Sequence, residues 1–97
     1  MNITTRNRTN LNKLLNRLNF IESSRHVQDC SENYKGKIGK QKVIVSVWNY
    51  SPEYKKPSVM VNVYDNTIDS PVKSGDDLIS SYEITFTGKI INKEVKK

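Results

Sequence analysis

Two runs of alternating valine, Val43-Val45-Val47 and Val59-Val61-Val63, constrain this chain more than any other feature of its sequence. In an extended backbone, side chains two residues apart point to the same side, so each run draws one apolar face. Residues 41–50 are therefore the clearest predicted strand, with Lys42, Ile44, Ser46, Trp48 and Tyr50 on the second face. Residues 58–64 form its natural neighbour, with Met60, Asn62 and Tyr64 on that same second face. A sheet face made of valines needs a cover.

Leu11, Leu14, Leu15, Leu18 and Ile21 supply one, because they recur at helical spacing and form a single apolar stripe. This predicts a helix over residues 9–22, with the Thr9 hydroxyl as N-cap and Ser23-Ser24 as its end. Residues 1–8, polar apart from Ile3 and carrying Arg6 and Arg8, read as a flexible basic arm. After Arg25 the period shifts towards two, giving short strands at residues 26–30 and 34–38, then a hairpin turn at Gly39-Lys40. Residues 51–57, with two prolines, form an irregular crossing, and residues 65–77 a turn-rich connection. Residues 78–86 and 89–92 are the last strands, and residues 93–97 a frayed tail.

The expected architecture is α+β, with one N-terminal amphipathic helix packed on a mainly antiparallel sheet of about four to six strands. All 97 residues belong to one domain in this reading, with the sheet spanning residues 26–92. The only cysteine, Cys30, cannot close an intramolecular disulfide, and one Cys with one His cannot furnish a four-ligand zinc site. No cofactor or metal is expected. There is neither an apolar run long enough to span a membrane nor the apolar core of a secretion signal, so the expected location is the cytoplasm.

Charge is the strongest functional signal. Residues 1–50 hold nine Lys/Arg against three acids, whereas residues 51–97 hold seven of each sign, so the net +6 resides in the first half. Such asymmetry points to association with a polyanion. The segment from Tyr34 to Lys42 interleaves Lys35, Lys37, Lys40 and Lys42 with two glycines. It suits a hairpin that neutralises phosphates while Tyr34 offers a stacking plane. The structural alternative is that lysines on an edge hairpin discourage aggregation. On the helix, Asn10, Asn12, Asn16 and Asn19 surround Lys13 and Arg17. That face can hydrogen-bond phosphate, sugar or base edges, or can reflect an AT-rich coding genome. The candidate nucleic-acid surface is thus Arg6, Arg8, Lys13, Arg17, Arg25, Tyr34, Lys35, Lys37, Lys40 and Lys42.

Trp48, Tyr50, Met60 and Tyr64 make the second sheet face too apolar for plain solvation, marking a homodimer interface or second core layer in preference to a base-stacking platform. His26 and Cys30 lie four apart, which in a strand leaves them about 13 Å apart, too far for a nucleophile and its base. A metal-independent ribonuclease using His26 with Arg25, Lys35 and Glu32 has no positive signal in the spacing. Asp76-Asp77 lacks the further carboxylates of a cation loop, and no phosphate-binding, dinucleotide or zinc motif is present. These observations point to a binder and away from an enzyme.

Short length, richness in Asn, Lys and Ile, and near-absence of Cys are similar to the small early accessory proteins of large tailed bacteriophages. That resemblance implies a protein that disables or redirects a host factor in the host cytoplasm, such as an RNA-cleaving toxin or another defence factor. The expected partner is RNA or another nucleic acid, with the chain a homodimer. The alternative is an inhibitor or adaptor that docks on an acidic surface of a host protein without nucleic acid.

Overall fold

The computed structural model describes residues 3–50, 57–70 and 72–95. Helix α1 (Thr5–Arg17) is followed by six strands, β1 (Phe20–Val27), β2 (Ser31–Ile38), β3 (Gln41–Tyr50), β4 (Ser58–Asp65), β5 (Leu78–Ile84) and β6 (Ile90–Val95), with a short 3-10 turn at Gly75–Asp77. The strands form one antiparallel sheet in the order β1-β2-β3-β4-β5-β6, so each strand pairs with its neighbours in the chain. The helix packs on one face. This is the α+β architecture that the valine runs and the leucine stripe predict.

The helix boundaries differ from expectation at both ends. Thr4, in extended conformation, accepts a hydrogen bond from the Asn7 amide at 3.1 Å and caps the helix one turn before Thr9. Thr9 instead donates to the Thr5 carbonyl at 3.0 Å. Residues 5–8 of the expected arm are therefore helical, while Met1 and Asn2 lie outside the described residues. Asn7, only 5% exposed, precedes buried Leu11 and Leu14 at spacings of four and seven, so a polar residue starts the buried stripe. At the other end Asn19 adopts a left-handed φ of 59° just past the Leu18 cap and stops the helix well before Glu22. Ile21 thereby moves from the predicted apolar stripe into β1, where it is 72% exposed.

The core behaves as the alternation requires. Val43, Val45, Val47, Val61 and Val63 are completely buried, and Val59 nearly so, beneath Leu11 and Leu14 with Tyr82 and Ile84 alongside. Each such side chain contributes about 1.5–3 kcal/mol through removal from water. Register fixes the rest. The β2–β3 turn uses Gly39 at φ 63°, and β1 bulges at Ser23 against β2. Beside that bulge, a Cβ at Gly36 would lie 2.1 Å from the Ile21 carbonyl oxygen, so β1 crosses this position only because it is glycine. The sheet starts at Phe20 and ends at Val95, wider than residues 26–92. Ser80 opposite Val95 and Ser81 opposite Glu94 place residues 93–95 in a strand and not in a frayed tail. Lys96, Lys97, Pro71 and residues 51–56 of the expected crossing lie outside the described residues.

Candidate nucleic-acid interface

The two faces of the sheet divide the predicted cationic residues between them. On the helix side, β2 presents Glu32 and Tyr34, both buried. Arg8 reaches down from α1 and grips Glu32 with both ends of its guanidinium, Nη1 donating to Oε1 at 2.8 Å and Nη2 to Oε2 at 2.7 Å. Arg8 also donates to the Tyr34 hydroxyl at 3.1 Å, and that hydroxyl donates to Glu32. Bidentate geometry of this kind is the strong form of an ion pair. The Arg8 guanidinium, helped by the Tyr34 hydrogen bond, outweighs burial and holds the Glu32 carboxyl down to about 2. Burial first, then the Glu32 contact, pushes the Tyr34 hydroxyl up to about 12. Arg25 lies over the Tyr34 ring, 4.7 Å from its centroid, and pairs with Glu22 at 2.8 Å.

These contacts correct two assignments. Tyr34, 2% exposed, has no free ring face on which a base could stack. Arg8 is committed to the buried Glu32, so its charge is answered within the fold, whereas Arg25 pairs with Glu22 at the surface and keeps half of its side chain exposed. Together they form a staple between α1, β1 and β2.

Among the described residues, no helix lies on the opposite face. The register places Lys37 directly across from Lys42, and beyond them the row Ser24, Lys35, Ile44 and Tyr64. The next row is His26, Asn33, Ser46, Asn62 and Ser81, and the next Ser31, Trp48, Met60, Glu83 and Ile91. The face therefore runs from basic, through amide and hydroxyl, to apolar. Lys42 and Trp48 are six residues apart in β3, about 20 Å along an extended strand. Lys40 occupies the exposed turn at the basic end.

Like charges directly opposite one another destabilise a strand pair. Among the described residues, neither Lys37 nor Lys42 has an ion-pair partner, whereas Lys35 pairs with Asp69 at 3.2 Å. β2 and β3 are interior strands, so these lysines protect no sheet edge. This removes the anti-aggregation explanation of the hairpin.

Arg6, Lys13 and Arg17 are exposed on α1, in the layer on the other side of the sheet, so the predicted cations do not form a single surface. At the apolar end Trp48 and Tyr50 meet edge to face with centroids 5.9 Å apart and are 37% and 39% exposed, with half-buried Met60 opposite Trp48, whereas Tyr64, also half-buried, lies apart from them in the row of Lys35 and Ile44. In the middle, Ser81 donates to Asn62 Oδ1 at 2.7 Å, and Asn62 Nδ2 donates to the Tyr64 hydroxyl at 3.3 Å. Sequence reasoning overlooked Lys73, which lies against Asn33, Ser46 and Tyr64 because the β4–β5 connection folds back over this face. Nothing in the spacing of Lys73 reveals that fold-back.

His26 faces the same side from β1, and Cys30 is exposed in the β1–β2 turn. Asp77 accepts from the Ser74 amide at 3.1 Å and caps the 3-10 turn, a local structural role. Among the described residues no group of three His, Cys, Asp or Glu side chains converges as a metal-binding set, and no helix is long and apolar enough to cross a membrane. Compared with known protein families, curated proteins and solved structures, the chain matches none.

Proposed function

We propose that this chain is a non-enzymatic nucleic-acid-binding module, RNA foremost, that contacts its ligand with the open face of the sheet. The observation that carries the reading is the unanswered Lys37–Lys42 pair in interior strands, with Lys35 in the next row and Lys40 in the adjoining turn. A phosphate backbone supplies the anionic oxygens that this arrangement lacks. The compositional resemblance to phage accessory proteins makes host RNA the first ligand to try. The test is an anisotropy titration of labelled RNA at several salt concentrations with the native chain and with Lys35, Lys37, Lys40 and Lys42 all changed to Gln. The native chain should show log affinity falling by about 0.7–0.9 per neutralised phosphate for each unit of log salt, and the variant a slope near zero. Equal slopes for the two proteins would remove the hairpin from the interface.

A second reading is favoured by the other end of the face. Trp48, Tyr50 and Ile91 leave an apolar patch suited to a protein partner, either a second copy of the chain or an acidic host surface approached by charge steering. Sedimentation of the native chain against Trp48→Ala tests the first of these. A dimer lost in the variant supports it, and a monomeric native chain rejects it.

A further inference from the structure

Three adjoining hollows cross the open face. The first, about 330 Å³, is lined by Lys35, Lys37 and Lys42 and bounded by Asn66 and Asp69. The second, about 500 Å³, follows β1 and β2 past His26, Asn33, Lys35 and Ile44. The third, about 200 Å³, lies among Asn33, Ile44, Ser46, Tyr64 and Lys73. Lys35 belongs to the first two, and Asn33 and Ile44 to the last two, so the hollows form one groove. β1 walls it on one side, and Asn66, Asp69 and Lys73 on the other.

Asp69 stands in that second wall. Its carboxylate accepts from Lys35 Nζ at 3.2 Å, and its side chain is 74% exposed. The Lys35 contact, with smaller contributions from Lys73 and the Asn66 side chain, holds the Asp69 carboxyl below the usual carboxylate range. An anionic oxygen of the protein thus already rests where the groove's cations converge. So exposed an ion pair is screened by solvent and adds little to stability, and another anion can replace it at little cost to the fold.

Resting on the nucleic-acid reading above, we infer that the groove takes single-stranded nucleic acid, with one backbone phosphate displacing the Asp69 carboxylate from Lys35. The composition of the groove separates a single strand from a duplex. Its rim is cationic, whereas its floor is Ile44, Tyr64, Asn33 and Ser46, a mixture of ring, aliphatic and hydrogen-bonding surface suited to base faces and edges. At about 200 to 500 Å³ the individual hollows fall in or below the lower half of the roughly 300–1,000 Å³ range of small-molecule sites, a scale suited to single nucleotides. A duplex keeps its bases stacked and would touch only the rim. An unpaired strand fills the floor and rim together.

The test compares a labelled unstructured RNA 12-mer, the DNA of the same sequence, and the corresponding duplexes, each titrated with the native chain and with Asp69→Asn. Melting of the variant, expected to match the native chain, shows that any change in affinity is not a folding defect. Single strands should bind about tenfold or more tighter than duplexes, the equivalent of one base stacked on a side chain. Asp69→Asn should tighten single-strand binding about two- to fivefold, because the competing carboxylate charge is gone. Either sugar satisfies the inference, and the RNA–DNA comparison identifies which strand the groove prefers. Duplex affinity equal to or above that of single strands overturns the inference and leaves the nucleic-acid reading standing. Unchanged or weakened binding by Asp69→Asn overturns the displacement. Binding to none of the four ligands removes the parent reading as well.

Discussion

Beneath α1 the sheet presents Val43, Val45, Val47, Val61 and Val63, all buried, and the buried carboxylate there, Glu32, is closed off by Arg8 and Tyr34. One residue away along the same strands, the other face presents Lys42, Ile44, Ser46, Trp48 and Met60, with cations unanswered and aromatic rings in contact with water. The same period of two generates both. What differs is whether another element arrives to cover the face. On the covered side Arg8, Glu32 and Tyr34 answer one another beside the apolar core, and that side holds the molecule together. On the open side the Lys37–Lys42 mismatch remains, which is why the proposed ligand is assigned to that side.

The largest perturbation of this contrast is Leu14→Ala, which empties a fully buried position between helix and sheet. It should lower unfolding free energy by about 3 kcal/mol in denaturant titration while leaving nucleic-acid affinity of the folded fraction unchanged. A parallel loss of affinity would mean that the faces are not independent.

Acid should produce an effect of intermediate size. The Glu32 carboxyl is held at about 2 in the folded protein against an ordinary 4.5, so its contribution is fully present above about 4.5 and disappears as pH falls towards 2. Unfolding free energy should stay flat from pH 7 to 5 and then fall by about 2 kcal/mol, a value reduced because Arg8 keeps 36% of its side-chain surface in water. In Arg8→Met this acid-dependent loss should shrink; an undiminished loss would assign it to other carboxylates. Tyr34 acts in the opposite direction, its contribution fading as pH rises from 10 towards 12.

The smallest change in stability is expected from Trp48→Ala. With more than a third of the residue exposed, the substitution should cost less than about 1 kcal/mol of monomer stability, yet weaken single-strand binding if bases extend to this end of the face. A collapse of the fold on this substitution would show that the aromatic end is core.

The covered side was largely legible from sequence, because valine alternation and leucine spacing are strong periodic signals. They failed where a polar residue took an apolar place. Asn7 occupies the first buried position of α1, so the apolar pattern starts only at Leu11 and the true N-cap, Thr4, escapes notice. Ile21 falls in phase with the stripe by coincidence, and only the left-handed backbone of Asn19 reveals that the helix has already ended. β1 carries no alternation because its residues are nearly all exposed. Of the site, Lys35, Lys37 and Lys42 were legible as a group, yet not which side of the sheet they face. The pairing of Arg8 with Glu32, 24 residues later, has no local signature. Nor does the fold-back that brings Asp69 and Lys73 over the sheet.

The sequential order of the strands also has a kinetic meaning. Each of β2 to β6 finds its partner in the strand just before it, so ordering proceeds through short loop closures and avoids a distant search. A chain emerging from the ribosome can therefore pair hairpin by hairpin, each new strand covering the exposed edge of the last. The helix is the exception: both the clasp between Arg8 and Glu32 and the seating of Leu11 and Leu14 on the sheet need the first segment to wait for later ones.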